Sequence, residues 1–277
     1  MRKTILITGA TDGIGLATAK TLAAGGHRVW LHGRNPAKLE AAQRAVVELG
    51  GDGVVCFEAD LSSLGAVQEL ASSVRWSLND RSARLDVVIN NAGVFSTNRP
   101  LHDVPEIGAT LDVRFLVNTI ASYLLTRRLL DALGPDGRVV NLSSAAQSPV
   151  DLEALRGERR LSDMPAYAQS KLALTMWSRH LGLGLGDGGP VVVSVNPGSM
   201  LGTKMVKDAF GVAGGDVAKG ANILVRAALD DDFAGASGQY FDNDSGRFAR
   251  PHPDALDDAK CRAVVNALDG LIGGLEA

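Results

Sequence analysis

Short apolar runs alternate with longer amphipathic stretches along most of the chain. The apolar, β-branched runs predict buried strands at residues 4–8, 28–32, 54–57, 85–90, 138–142, 191–196 and 238–241. The periodic stretches between and after them predict helices at residues 13–24, 36–49, 62–78, 105–133, 167–183, 216–229 and 254–272. We therefore expect one α/β domain over residues 1–277, with a doubly wound parallel sheet of about seven strands and helices on both faces.

Composition narrows the range of partners and locations. The net charge of −3 gives no broad basic face, so nucleic acid is not an expected partner. Cys56 and Cys261 lack the spacing of a metal or redox site, and no metal is expected. The apolar start turns at Thr8-Gly9 too early for a signal segment, and no run approaches the ~20 apolar residues of a spanning helix. We expect no membrane span and a cytoplasmic location.

A glycine-rich turn follows the first predicted strand and leads into a helix. Its sequence is Gly9-Ala10-Thr11-Asp12-Gly13-Ile14-Gly15. Such glycines let the backbone approach a pyrophosphate, which then lies at the positive end of the helix. The spacing Gly-x-x-x-Gly-x-Gly differs from the usual Gly-x-Gly-x-x-Gly dinucleotide fingerprint. A tight turn without a ligand is the alternative interpretation.

The residues after the second strand bear on the choice between NAD and NADP. NAD-specific sites place an acidic residue here, whereas an Arg accommodates a 2′-phosphate. This chain has Gly33 and Arg34, which favours NADP. Asp12 argues mildly the other way, because it adds negative charge near the adenosine end. Arg34 could also be a solvated loop charge.

Four later strands end in small or polar residues. These strand ends are Asp60-Leu61, Asn90-Asn91-Ala92-Gly93, Ser143-Ser144 and Pro197-Gly198. At Asn90–Gly93 the small residues suit close packing against a ligand, and the Asn side chains can lock the strand ends by bonding to backbone. Asp60 could bond an adenine amine or help to cap the following helix, for which Ser62 is a candidate N-cap.

Tyr167 and Lys171 are four residues apart in a predicted helix, so their side chains share one face. A fixed ammonium lowers the pKa of a neighbouring phenol from its ordinary ~10, which suits a general acid or base. Alternatively, Tyr167 is an aromatic at the core edge and Lys171 a solvated charge. Asn118 lies in an otherwise apolar helical stretch and could be a satisfied or helix-bending polar residue.

The motifs Thr8-Gly9-x-x-x-Gly13-Ile14-Gly15, Asp60, Asn90-Asn91-Ala92-Gly93, Asn118, Ser143-Ser144, Tyr167-x-x-x-Lys171 and Pro197-Gly198 occur in this order along nearly the whole chain. This ordered set resembles the short-chain dehydrogenase/reductase family, whose members have a Rossmann-type NAD(P)-binding domain.

The resemblance implies four catalytic residues. Tyr167 would donate or accept the proton, and Lys171 would lower its pKa and hold the nicotinamide ribose. Ser144 would bond the substrate oxygen, and Asn118 would anchor a water that links Lys171 to solvent. Arg34 matches the position that marks NADP users.

The resemblance also implies a cofactor site. Its residues would be Gly9, Thr11, Asp12, Gly13, Ile14, Gly15, Arg34, Asp60, Leu61, Asn91, Ala92, Gly93, Tyr167, Lys171, Pro197 and Gly198.

Two features resemble the retinol-dehydrogenase-like branch, which handles retinoids and other apolar carbonyls. Tyr167 follows Ser144 by 23 residues, a longer interval than in most family members, with the extra residues around Asp151-Leu152. The run Tyr240-Phe241-Asp242-Asn243 is also similar to that branch.

The expected function is an NADP(H)-dependent oxidoreductase that interconverts an alcohol and a carbonyl on an apolar small-molecule substrate. Residues 94–105, 147–165 and 199–215 would line the substrate pocket, and 199–215 would form a lid. A non-catalytic dinucleotide-binding sensor or scaffold is one alternative. A sugar-nucleotide epimerase or dehydratase is another, although those relatives usually have a different glycine spacing and a larger C-terminal region. The oligomeric state is open, with a homo-oligomer as one possibility.

Overall fold

The computed structural model describes residues 2–95 and 97–275. Ser96, inside the predicted pocket stretch 94–105, lies outside the described residues, as do Met1, Glu276 and Ala277 of the predicted domain. In the described part of the chain the strands are β1 (Thr4–Ile7), β2 (Arg28–Gly33), β3 (Val55–Glu58), β4 (Leu85–Asn90), β5 (Leu101–Val104), β6 (Ala109–Asp112), β7 (Leu133–Leu142), β8 (Val191–Asn196), β9 (Tyr240–Asp242) and β10 (Arg247–Ala249).

Helices connect most of these strands. They are α1 (Gly13–Ala24), α2 (Pro36–Val47), α3 (Leu64–Asp80), α4 (Val113–Phe115), α5 (Ser122–Leu129), α6 (Leu152–Leu155), α7 (Asp163–Leu185), α8 (Lys204–Phe210), α9 (Val217–Leu229) and α10 (Asp258–Ile272). A π-helical segment, Leu116–Ala121, joins α4 to α5.

Eight strands form one sheet in the order β10-β9-β8-β7-β4-β1-β2-β3, and only β10 pairs antiparallel. The predicted single-domain, doubly wound α/β fold is confirmed. Side chains of β1 alternate between the two faces: Ile5 and Ile7 pack with α1 and α9, while Leu6 packs with α3, α5 and α7. Because both faces are buried, the strand reads as a continuous apolar run.

The strand order reverses beside β1, which pairs with β2 on one edge and β4 on the other. In open α/β sheets, ligands bind outside the carboxyl ends of the strands at such a reversal. The glycine turn after β1 and the Asn90–Gly93 segment after β4 lie at this point.

The helix predicted over residues 105–133 is wrong in its first part. β5 and β6 form an antiparallel hairpin, and the helical path begins only at Val113. Pro105 opens the hairpin turn, and Gly108 closes it in the left-handed region with φ of +62°. The Asp112 carboxylate accepts a hydrogen bond from the Arg114 amide and so caps the true helix start.

Three further predictions need correction. Ser63, not Ser62, caps α3, because the Ser62 amide and hydroxyl both donate to Asp60. The predicted loop at 199–215 contains α8, capped by Thr203. The sheet has eight strands instead of about seven, because β10 was not predicted. Its three residues are too few to show an alternation of apolar and polar positions. Phe248 of β10 packs against Phe233 and Phe241.

Within residues 2–95 and 97–275, no helix combines the length and apolar character needed to cross a bilayer.

A buried histidine joins the ends of three strands beneath the glycine turn. His32 Nδ1 accepts a hydrogen bond from the Gly9 amide at 3.2 Å, and Nε2 lies 3.1 Å from the Ala59 carbonyl. This pattern requires a neutral imidazole with its proton on Nε2. Burial lowers the pKa of His32 from 6.5 to about 4, because the charged ring is disfavoured there.

This geometry predicts an acid-sensitive fold. Since the folded pKa lies below the unfolded value, the unfolded chain binds the extra proton between pH 6.5 and about 4. The free energy of unfolding should be highest above pH 6.5 and fall by roughly 3 kcal/mol toward pH 4 from this group alone. Urea unfolding of wild type and His32→Asn at pH 7, 5.5 and 4.5 measures how much His32 contributes to the pH dependence of the free energy of unfolding. Equal pH slopes in both proteins, or an NMR titration midpoint for His32 near 6.5, would contradict it.

Candidate active site

The glycine turn brings the backbone of β1 directly against the start of α1. A side chain at Gly15 would place its Cβ 2.3 Å from the Gly9 carbonyl oxygen, so the helix can approach this closely only with glycine there. Gly9 has φ of +65°. The Asp12 carboxylate accepts a hydrogen bond from the Gly13 amide and caps α1. The open helix N-terminus behind this turn suits a phosphate group.

Asn91, predicted to bind the cofactor, joins β4 to β1 in this structure. Its side-chain amide donates to the carbonyls of Thr8 at 2.9 Å and Gly9 at 3.1 Å. In return, the Thr8 hydroxyl accepts from the Asn91 and Ala92 amides. No role for Thr8 is predicted from the sequence, although a hydroxyl at the end of a strand can accept hydrogen bonds from nearby backbone amides.

The end of β2 leaves no room for an acidic side chain. A Cβ at Gly33 would lie 2.4 Å from the Thr11 side chain, whereas the next residue, Arg34, is exposed. The Asp12 carboxylate, which argued against NADP, forms an ion pair with Lys38 at 3.2 Å. Its negative charge is therefore offset locally.

Asp60 follows β3 on the same side of the sheet. Its Oδ1 accepts from the amide and hydroxyl of Ser62 at 2.9 and 2.8 Å. Burial alone would raise the pKa of this carboxyl, but the Ser62 bonds and the charge of Arg34 hold it below its ordinary value. Asp60 thus shapes the turn before α3 and is within the electrostatic reach of Arg34.

The side chains of two predicted cofactor residues lie in the core, which leaves only the backbone of these residues for a cofactor. Ile14 is buried among the side chains of α1 and α9, and Leu61 is buried on the opposite face of the sheet. They hold the turns on which neighbouring predicted residues lie.

Asn118 lies in the π-helical segment and holds the segment after β4. Its Oδ1 accepts from the Val94 amide at 2.8 Å, and its Nδ2 donates to the Val94 carbonyl and the Ser170 hydroxyl. Ser170 in turn donates to the Tyr167 carbonyl at 2.7 Å. The Asn118 side chain therefore connects the Val94 backbone to the helix that carries Tyr167.

Ser144 and Tyr167 meet at the carboxyl end of β7. Their side chains are hydrogen-bonded to each other, and the Ser144 hydroxyl accepts from the Ala146 amide at 3.1 Å. The Phe95 ring packs edge-on against the Tyr167 ring, with centroids 4.8 Å apart. The phenol is thus held between a hydroxyl and an apolar wall.

Lys171 is buried on the same face of α7. Its Nζ donates to the Leu142 carbonyl at 2.6 Å and lies 5.8 Å from the centroid of the Tyr167 ring. Burial lowers the pKa of Lys171 from 10.5 to about 8. A Cβ at Gly93 would contact this Nζ at 3.5 Å and Asn118 Oδ1 at 3.3 Å, so glycine keeps the space beside both groups open.

The prediction that Lys171 lowers the Tyr167 pKa is not met in this structure. Burial raises the pKa of Tyr167, and the Ser144 hydrogen bond offsets only part of that effect. The ammonium lies over the ring and bonds the Leu142 carbonyl, so the Ser144 hydroxyl is the neighbour that favours the phenolate.

The segment after β8 covers the glycine turn. Pro197-Gly198 leads into the stretch 199–215, whose two ends are tied together: the Gly202 amide donates to the Gly215 carbonyl and the Gly215 amide to Met200. Thr203, at the start of α8, would lie 3.5 Å from a Cβ at Gly13, and Met205 would lie 3.7 Å from a Cβ at Gly93.

The structure thus brings Asn118, Ser144, Tyr167 and Lys171 together at the ends of β4 and β7. The glycine turn lies beside them, and Arg34 and Asp60 lie farther along the same edge of the sheet, beyond β1.

The chain matches known proteins in sequence and structure. The family model for the short chain dehydrogenases matches residues 3–211. Human retinol dehydrogenase 13 is 31% identical over 295 residues, which cover 99% of this chain and 86% of the relative. A solved Mycobacterium paratuberculosis protein has a TM-score of 0.77 and 28% identity, covering 97% of this chain and 92% of that one. A short chain dehydrogenase from Burkholderia cenocepacia, solved with NADP, has a TM-score of 0.68 and 26% identity, covering 87% and 95%.

The fold, the ordered motifs and these similarities agree, and the family binds NAD(P). The chain belongs to the short-chain dehydrogenase/reductase family, as an oxidoreductase of its retinol-dehydrogenase-like branch that acts on alcohol and carbonyl groups.

Proposed function

We propose that this enzyme uses NADP(H) to interconvert an alcohol and a carbonyl on an apolar substrate of small to medium size. The observation that supports this most directly is the cluster of Ser144, Tyr167 and Lys171 beside the glycine turn.

The residues present fit a dinucleotide. The Gly9–Gly15 turn would take the pyrophosphate at the α1 N-terminus, because Gly15 removes the side chain that would fill this cradle. Arg34 and Lys38 would face the 2′-phosphate, and Asp60 the adenine. Lys171 would hold the nicotinamide ribose next to Gly93. When bound, NADP(H) supplies or accepts the hydride.

Tyr167 and Ser144 would act on the substrate oxygen. In reduction, the Ser144 hydroxyl donates a hydrogen bond to the oxygen on which negative charge grows, and Tyr167 donates its proton to that oxygen. In oxidation, the same groups act in reverse. A phenol whose pKa is raised by burial is protonated at neutral pH, so Tyr167 holds the proton that reduction requires.

Apolar side chains lie in the segments predicted to line the substrate pocket. Phe95 contacts Tyr167, and Met164, Met200 and Val212 expose 45%, 44% and 42% of their surfaces. We propose that residues 199–215 close over the substrate as a unit, since backbone bonds tie their two ends.

The function is tested with a panel of decanal, acetophenone, 1-tetralone and all-trans-retinal, following NADPH and NADH absorbance. We expect reduction of at least one apolar carbonyl, with a higher kcat/KM for NADPH than for NADH. Tight NADPH binding without turnover of any of these carbonyls in either direction would contradict the proposal and would favour the sensor alternative.

Tyr167→Phe should reduce turnover at least ~10²-fold, because general acid–base catalysis is lost. NADPH affinity, measured by fluorescence titration, should change little, since the phenol hydroxyl is proposed to move the proton. Tyr123→Phe provides the matched control, because Tyr123 is also buried and bonds Asp269 away from this cluster. Near wild-type turnover in Tyr167→Phe would remove Tyr167 from the mechanism.

Arg34→Ala should weaken NADPH binding far more than NADH binding. A charge-assisted bond to the 2′-phosphate contributes ~1.5–3 kcal/mol, which corresponds to roughly ten- to a hundredfold in affinity. Arg247→Ala, at the opposite edge of the sheet, is the control. An equal loss for both cofactors would mean that Arg34 has a structural role.

Lys171→Met should make the protein more stable and less able to bind NADPH. The folded pKa of about 8 lies below the unfolded value of 10.5, so burial of the charge destabilises the fold at pH 7, by up to about 3 kcal/mol. This penalty should disappear as the pH rises from about 8 to 10.5. Urea unfolding of wild type and Lys171→Met at pH 7 and 10 measures this penalty, and Lys207→Met, at an exposed lysine, is the control. A variant that is less stable than wild type at pH 7 would refute this account.

A further inference from the structure

The backbone carbonyl of Ser144 accepts hydrogen bonds from two side chains far apart in sequence. Gln147 Nε2 donates to it at 2.9 Å, and the Tyr240 hydroxyl donates at 3.2 Å. Gln147 also accepts the His252 amide on its Oε1 at 2.9 Å. The loop after β7 is thereby fastened to β9 and to the segment after β10.

These bonds fix the direction of the Ser144 side chain. A carbonyl held by two donors fixes the peptide plane that follows Ser144, and this plane sets the orientation of its Cα–Cβ bond. The hydroxyl itself accepts the Ala146 amide and bonds Tyr167. A rotation of the peptide plane would move the hydroxyl away from the oxygen it is proposed to bind.

Tyr240 is well placed for this task. It lies in β9, opposite Ser194 of β8, and its side chain is buried. Burial raises the pKa of its phenol, so the hydroxyl remains a donor across the physiological range. Because β9 belongs to the main sheet, the donor is held by the rigid part of the fold and not by a loop.

We propose that Tyr240 and Gln147 are positioning residues that orient the catalytic Ser144 through its carbonyl, and that the backbone at His252 holds Gln147 in place. This inference rests on the proposed function, in which Ser144 bonds the substrate oxygen.

The first test does not need activity. Hydrogen–deuterium exchange of the peptide covering residues 143–150 is compared in wild type, Tyr240→Phe, Gln147→Met and the control Tyr123→Phe. We expect faster exchange in Tyr240→Phe and Gln147→Met but not in Tyr123→Phe. The Ala146 amide donates to the Ser144 hydroxyl, so its exchange reports whether that hydroxyl keeps its position. Unchanged exchange in both Tyr240→Phe and Gln147→Met would overturn the inference even if the enzyme is active.

The second test is a double-mutant cycle on the panel carbonyl that wild type reduces fastest. Tyr240→Phe should lower kcat about two- to tenfold, the range expected for one neutral hydrogen bond, with NADPH affinity unchanged. In the Ser144→Ala background the same substitution should cost nothing further, because it acts through the serine. Gln147→Met should behave alike.

The outcomes separate the two proposals. An equal loss of kcat in both backgrounds, or an equal loss in Tyr123→Phe, would show a general structural effect and overturn the positioning role. Failure of wild type to reduce any panel carbonyl would instead refute the proposed function, while the exchange experiment would still decide whether Tyr240 and Gln147 hold the Ser144 loop.

Discussion

The buried ammonium of Lys171 is the constraint on which the rest of this site depends. Taking a charge out of water is unfavourable, and the lowered pKa of about 8 reports that cost. The Leu142 carbonyl at the end of β7 accepts a hydrogen bond from the ammonium. This bond ties α7 to the sheet and sets the distance between Lys171, Tyr167 and the β4 end. A lysine retained at such a cost is expected where the charge has a ligand to meet, and the small residue at Gly93 leaves space for one.

Asn118 and Ser170, near Lys171, hold the backbone segments that surround it. Asn118 fixes the backbone at Val94, and through Ser170 it fixes the turn of α7 that carries Tyr167. The π-helical geometry around Asn118 is a costly local departure, and such bulges are often found at functional sites. Because the Asn118 amide is engaged on both sides, its side chain orients other groups. The water that Asn118 is expected to anchor beside Lys171 stays a prediction.

Local sequence patterns were sufficient to predict the fold class, whereas the grouping of Asn118, Ser144, Tyr167 and Lys171 was implied by the resemblance of the ordered motifs to the family. Apolar runs indicate strands buried on both faces, and polar residues directly after these runs meet at one edge once the strands are parallel. The hairpin at 101–112 was missed since its alternation is short and is followed immediately by a true helix. Thr8 and His32 were missed because their partners, Asn91, Ala92 and Ala59, are brought to them only by the sheet. The Tyr167 pKa was misjudged because spacing along a helix gives proximity to an ammonium but not the degree of burial.

The two ends of the site are stabilised by different physics. At the proposed adenosine end, Arg34, Lys38, Asp12 and Asp60 are at or near the surface, so their interactions are screened by salt and can adapt to a ligand. At the proposed reaction end, Ser144 and Lys171 are held by buried bonds that involve backbone carbonyls and strands of the main sheet. A nucleotide can be bound by charges that adjust, whereas proton transfer requires atoms held within a few tenths of an ångström. The proposed role of Tyr240 meets that requirement, because its hydroxyl reaches the Ser144 carbonyl from a strand of the main sheet.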